Sequence, residues 1–156
     1  MKVMGVDPGV RGAIVVTHNG KRPRHWRMPM RTKDKHGYDI ARIAEIVRKE
    51  RPDLLAVEHV TRPASLVRCM GLLEAIGVTL GIEVVTIRPQ VWKKHFNLSP
   101  NKAESIKLAA KLWPKLGKSM KRKSDDGIAE AALIGEYARI VYQHARDYVA
   151  AQSENL

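Results

Sequence analysis

The order of apolar patterns along this chain restricts its fold more than any single motif does. Residues 3–7 form a short apolar run stopped by Pro8-Gly9, and residues 13–17 form a second, rich in β-branched side chains and closed by Asn19-Gly20. Both read as strands, with hairpin chemistry between and after them. Residues 22–28 read as a third strand, kept to an edge by its cations and by Pro23, which has no N–H for a ladder. The chain then reads as loop to Asp39. Ile40, Ile43, Ala44 and Val47 recur at helical spacing until Pro52, which predicts an amphipathic helix over residues 38–50. Residues 54–57 read as a buried strand ending at Glu58, 64–81 as a helix and 83–87 as a fifth strand, after which Pro89 opens a short helix to His95. Another helix is predicted from Ser99-Pro100 to about Leu112, ended by Pro114. Last, Ile128, Ala131, Gly135, Ala138, Ala145 and Val149 mark one long helix to about residue 150, followed by a polar tail over 151–156. A three-strand meander followed by two crossover strands is an α/β arrangement, a five-stranded mixed sheet with helices on its faces. Without an internal repeat or a linker, residues 1–150 read as one domain.

Charge adds a partner class. The formal charge is +12, and residues 88–123 hold eleven Lys or Arg against one acid, Glu104. Residues 21–35 hold seven cations against Asp34. Cations gathered this way are the footprint of a phosphate-backbone binder, the plainer alternative being a solubilising surface. The single cysteine, Cys69, cannot form an internal disulfide and falls in an apolar helical stretch, which suggests a core position and a reducing compartment. The N-terminal apolar run is too short for a signal peptide, and no run of 18 apolar residues is present to span a membrane. A soluble, cytoplasmic protein is expected.

The acids narrow the chemistry. Asp7 and Glu58 end the first and fourth strands, and a right-handed crossover through the first helix can set those strands side by side, with both carboxylates at one edge. Asp7 before Pro-Gly is also ordinary turn chemistry. Glu58 has less excuse, because Glu is a poor strand former and no turn follows directly. Ser124-Asp125-Asp126-Gly127-Ile128-Ala129-Glu130 opens the long helix, where Asp126 and Glu130 share a face at i, i+4. Ser124 or Asp125 reads as a helix cap, favoured by the positive end of the dipole. Hard oxygen ligands without Cys or paired His point to Mg²⁺ or Mn²⁺ rather than zinc. His59 adjoins Glu58, but strand alternation aims it at the other face. Several carboxylates beside a basic segment suit phosphodiester cleavage assisted by two divalent ions.

Gly5-Val6-Asp7-Pro8-Gly9, then Val57-Glu58-His59-Val60, then Asp125-Asp126-Gly127-Ile128-Ala129-Glu130-Ala131, in that order and in a chain of this length, resemble the RuvC-type Holliday junction resolvases of the RNase H-like superfold. Arg88-Pro89-Gln90-Val91-Trp92-Lys93-Lys94 and residues 102–114 are more similar to the phage-type branch than to the bacterial one. The resemblance implies an RNase H-like fold and a Mg²⁺-dependent endonuclease that cuts four-way junctions and related branched DNA by paired nicks. It places Asp7, Glu58, Asp126 and Glu130 on the four acidic catalytic and metal-binding positions. In these relatives the last two acids are usually three residues apart, a slot that Gly127 fills here, which leaves Asp125 open as an alternative to Asp126. The bacterial enzymes carry an aromatic wedge after the second acid. Residues 61–70 have none, so Leu66 or Met70 would serve as an aliphatic wedge or, as ordinary packing favours, belong to the core. The resemblance also implies a homodimer, in keeping with the two equivalent strands of a junction. The helix over 64–81, with Gly71 and Gly77, reads equally as its interface and as helix-on-sheet packing. Candidate DNA contacts are Arg68, Lys93, Lys94, Lys102, Lys118, Lys121, Arg122 and Lys123.

Other readings share some of these features. An RNase H-like nuclease acting on RNA, of the pre-ribosomal processing type, would keep the acids and need no junction-sized dimer. Asp7-Pro8-Gly9 also resembles the phosphate loop of actin-like ATPases, but those need two such domains, and Gly5, Gly9 and Gly12 make no GxGxxG, so no nucleotide cofactor is expected. A non-catalytic basic module would leave the four acids unrelated.

Overall fold

A computed structural model describes residues 1–18, 21–31 and 37–153, with side chains to residue 148. The predicted turn at Asn19-Gly20, much of the basic loop before Asp39 and residues 154–156 lie outside the described residues. The strands are β1 (Lys2–Asp7), β2 (Ala13–His18), β3 (Arg24–Arg27), β4 (Leu54–Glu58) and β5 (Glu83–Ile87). Among the described residues they form one sheet in the order β3-β2-β1-β4-β5. β1 pairs antiparallel with β2 and parallel with β4, β2 pairs antiparallel with β3, and β4 pairs parallel with β5. This is the expected mixed sheet, with β3 at one edge.

Helices cover both faces. Helix α1 (Ile40–Glu50) starts where the Asp39 side chain accepts the Arg42 N–H at 3.0 Å, and it ends where Arg51 turns left-handed before Pro52. Helix α2 (Ala64–Thr79) follows β4. Residues Met4, Val6, Ile14, Val16, Leu55 and Val57 pack under α1 and α2 with Ile43, Ile46, Cys69 and Leu73, so the lone cysteine is core. Glu50 is buried at the end of α1, where Arg24 and Lys2 neutralise it.

The opposite face belongs to α3 (Pro89–His95), α4 (Lys102–Leu112), α5 (Pro114–Gly117) and the long α6 (Asp126–Ser153). Helix α4 begins later than predicted because the Asn101 side chain caps it, accepting the Ala103 N–H at 3.1 Å. Pro114 opens a short helix at N1 rather than only stopping one, and a 3₁₀ turn, Lys123–Asp125, leads into α6. The core here is Val3, Ala13, Val15, Leu54 and Ala56 against Ile128, Ala131, Ala132, Leu133 and Ala138. Small residues let the helix come close: a Cβ on Gly5 of β1 would lie 2.0 Å from the Ala131 carbonyl oxygen and 2.5 Å from the Gly135 nitrogen. That approach fixes α6 over the centre of the sheet and brings its first turns to the carboxyl end of β1.

Candidate active site

Alternation along the strands decides which acids can meet. Val3, Ala56 and Leu54 face α6, so Asp7 and Glu58, an even number of residues on, face it too. Val6 pairs with Val57, which makes Asp7 and Glu58 the next neighbours across the parallel pair. Helix α6 supplies Asp126 and Glu130, both buried, on the face turned toward the sheet. Each of the four is held separately. The Gly9 N–H donates to Asp7 Oδ1 at 3.1 Å, and the fully buried Trp92 donates its Nε1–H to Glu58 Oε1, also at 3.1 Å. Lys102 pairs with Asp126 through Nζ and Oδ2, and Lys93 Nζ stands 3.1 Å from Glu130 Oε1.

Their crowding shows in their acidities. Asp7 is pushed up to about 6, first by loss of water and then by the charges of Glu130 and Asp126, against the opposing Gly9 hydrogen bond and Lys102. Glu58 is pushed up to about 7, again by burial first and next by Asp7, with Trp92 and Lys93 pulling the other way. Lys102 is raised, chiefly by its hydrogen bond to Asp126. These four acids and two lysines form one electrostatic unit.

Asp125 belongs elsewhere. It accepts the Arg122 N–H at 2.9 Å and pairs with Arg27 of β3, and that backbone hydrogen bond, then Arg27, holds its carboxyl below the usual range. It caps the 3₁₀ turn, while Asp126 turns to the cleft. Position 127, where the family resemblance would put an acid, cannot take one: a Cβ on Gly127 would fall 2.4 Å from the Arg11 carbonyl oxygen and 2.8 Å from the Gly12 Cα. Helix α6 is pressed so tightly on the β1–β2 turn that the acid stands one position earlier.

The other named cations are spread out. Lys94 is exposed beside an open cavity of about 520 Å³ that Pro89, Gln90, Lys93, Asn97 and Leu98 also line. Lys118, Lys121, Arg122 and Lys123 are exposed on the segment between α5 and α6, and Arg68 is exposed on α2, across the sheet from the acids. Met70 is half-buried against the core beneath α1 and α2, and Leu66 is half-buried near the start of α2. Gly77 packs on Val84 and Leu55 of the sheet, whereas Gly71 faces open space. Sequence reading missed two partners, Trp92 and Arg27. A Trp within a short helix after Pro89 carries a signal, since a buried indole N–H needs an acceptor; nothing local marks Arg27 as the partner of an acid 98 residues on.

The donors, four carboxylates without a Cys or His among them, are of the chemical type that hard divalent ions take. Glu130 Oε1 is buried and makes no hydrogen bond, because the Lys93 ammonium, though near, does not point along one. Such an orphaned carboxylate oxygen is costly without a further cation. Among the described residues no three acidic, His or Cys side chains close into a finished cage; two of the four acids are turned to ammonium groups instead.

No family model and no curated protein matches the sequence. Solved structures do match its shape. RuvC of Thermus thermophilus superposes with a TM-score of 0.62 at 19% identity, over 90% of this chain and 96% of that one. The same organism's RuvC in complex with Holliday junction substrate gives 0.65 at 16% identity, over 90% and 96%. The fowlpox virus resolvase bound to Holliday junction DNA gives 0.62 at 13% identity, over 93% and 98%. This chain has the fold of the RuvC-type resolvases. On that RuvC-type scaffold the carboxyl ends of β1 and β4 and the start of α6 carry the acids, and α3 and α4 carry the lysines that answer them. Among the described residues no helix is long and apolar enough to cross a membrane.

Proposed function

We propose that this protein is a metal-dependent endonuclease that resolves Holliday junctions and related branched DNA by paired nicks, working as a homodimer. The observation that carries the reading is the gathering of Asp7, Glu58, Asp126 and Glu130 at one edge of a RuvC-type sheet, with Lys93 and Lys102 beside them. Asp7, Glu58, Asp126 and Glu130 are the residues that would hold two Mg²⁺ ions, or Mn²⁺ in their place. When bound, such ions activate water and stabilise the leaving oxygen of a phosphodiester. The chain's own contribution is placement. The Gly9 N–H and the Trp92 indole fix the rotamers of Asp7 and Glu58. The exposed lysines between α5 and α6, with Lys94, draw in and hold the phosphate backbone. Two copies related by a two-fold would present one site to each of the two equivalent strands.

The direct test compares a mobile four-way junction, a linear duplex and an RNA hairpin, each with and without Mg²⁺. Symmetric nicks in the junction are expected, with Mg²⁺ required and the duplex intact. Asp7→Asn and Glu58→Gln should abolish cleavage while junction binding survives, since the basic surface is untouched. Wild-type rates in either variant would overturn the metal-site assignment. Preference for the RNA hairpin would overturn the substrate.

A further inference from the structure

We infer that Lys93 and Lys102 are exchangeable counter-cations of the acidic site, which they neutralise when no metal is present and leave for DNA phosphates when metal enters. The inference rests on the reading of the site as a metal-dependent nuclease and adds how its two ligands, ion and DNA, are coupled.

Three observations support it. First, the two α6 acids of the site are each paired with a lysine from a different helix, Asp126 with Lys102 at the first residue of α4 and Glu130 with Lys93 of α3. Four carboxylates at the edge of a core cannot all stay ionised without positive charge, and these ammonium groups are paired with two of them. Secondly, the pairs are built to open. The Lys102 side chain is 60% exposed and that of Lys93 25%, while the acids they reach are 8% exposed, so each cation stretches in from the surface on a flexible stem. Lys93 leaves Glu130 Oε1 without a hydrogen bond, an incomplete contact that a metal oxygen bond would replace. Thirdly, Lys93 has somewhere to go when displaced, and Lys102 is already largely exposed. Lys93 lines the open cavity that Lys94 and Gln90 share, on the surface where the α3 cations stand.

Competition and cooperation follow from one geometry. Without DNA, an entering divalent ion must displace two ammonium groups, so the lysines oppose metal binding. With DNA present, the same lysines gain phosphate partners on leaving, so metal and DNA favour one another, and by linkage each raises the other's affinity by the same factor. A site arranged this way stays weakly loaded until substrate arrives.

The test uses the full chain and the variants Lys93→Met and Lys102→Met, singly and together, because Met keeps the apolar stem and removes the charge. Mn²⁺ binding without DNA is read by electron paramagnetic resonance. Binding of a four-way junction is read with Ca²⁺ and with EDTA, and thermal melting confirms folding. The double variant is expected to bind Mn²⁺ about fivefold or more tightly than wild type. Its junction affinity should fall by a similar factor in Ca²⁺ and change little in EDTA, where the wild-type lysines are already occupied. Unchanged or weaker Mn²⁺ binding in the folded double variant would overturn the inference. So would an equal loss of junction affinity with and without Ca²⁺, which would make the lysines simple DNA contacts. A wild-type protein that binds no Mn²⁺ fails differently: it removes the metal-site reading itself, and the exchange with it.

Discussion

The two faces of the sheet are built from different residues for different ends. Beneath α1 and α2 the strands present Met4, Val6, Ile14, Leu55 and Val57 to Ile43, Ile46 and Leu73, large side chains that hold the helices at ordinary distance. Beneath α6 the same strands present Gly5, Ala13 and Ala56 to Ala131, Ala132 and Gly135, and the helix backbone comes almost onto the strand. The first face buries apolar area. The second gives up side-chain volume for proximity, and proximity is what sets Asp126 and Glu130 against Asp7 and Glu58. Buried acids mark the contrast again. Glu50, at the end of α1, has Arg24 and Lys2 to itself, whereas the acids at the α6 face share too little positive charge among four carboxylates.

The largest expected effect breaks the close face. In Gly5→Ala the added Cβ meets backbone atoms of α6, which move only if the whole helix moves. Overpacking typically costs about 1–3 kcal/mol, and a clash between two backbones belongs at or beyond the upper end. A loss of about 3 kcal/mol lowers Tm by roughly 6–12 °C in a domain of this size. Cleavage measured well below that Tm should fall as well, because α6 carries two of the four acids. A Gly5→Ala protein with wild-type melting and cleavage would show that the close approach does not set the site.

The next effect has the opposite sign and depends on pH. In an unfolded chain the carboxyls of Asp7 and Glu58 ionise near 3.8 and 4.5, and in the folded, metal-free protein near 6 and 7. The fold therefore favours their protonated forms. That contribution is complete below about pH 4 and is lost as pH rises through 6 and 7. Metal-free wild type should lose stability over this window, by at most about 6 kcal/mol if both groups counted in full and by less because part of the Glu58 shift is the charge of Asp7 itself. Asp7→Asn or Glu58→Gln, neutral at every pH, should melt higher than wild type at pH 8 in EDTA, and the difference should shrink toward pH 4. A variant that is less stable than wild type at pH 8 would mean that the acids are not strained against one another. Together with the lost cleavage, this sets stability and function at odds in the same residues.

How far the sequence disclosed this division depends on whether the signal was local. Strand positions were legible because short apolar runs end at turn residues or acids, and the limits of β5 and α3 follow directly from Glu83, Ile87, Pro89 and His95. The parity of Asp7 and Glu58 was legible once the crossover was assumed. Pairings that depend on packing were not. Asp125 and Asp126 look alike in sequence, and only the 3₁₀ turn before α6 separates a cap held by Arg27 from an acid in the cleft. Gly127 reads as a departure from pattern until the β1–β2 turn is seen against it. Trp92 and Lys93 are consecutive, yet they serve Glu58 and Glu130 on different elements, which no periodicity shows.

The smallest expected effect tests whether the two faces are independent. Ile43 is 1% exposed beneath α1, in the apolar cluster on the face turned away from α6. Ile43→Val removes one methylene from this face and should cost about 1 kcal/mol through lost transfer energy and a small cavity. The shift in Tm should be the same at pH 5 and pH 8, because no nearby carboxyl changes its charge with the substitution. Cleavage of a four-way junction at a temperature where both proteins are folded should stay at the wild-type rate. The sheet is shared by both faces, and Tyr38 of the α1 face also reaches the turn beside Asp7, its hydroxyl donating to the Pro8 carbonyl at 2.8 Å. If this one methylene lowered cleavage, strain would be passing through β1 and β4 to the carboxylates, and the face under α1 and α2 would have to be counted as part of the site's positioning rather than as its support.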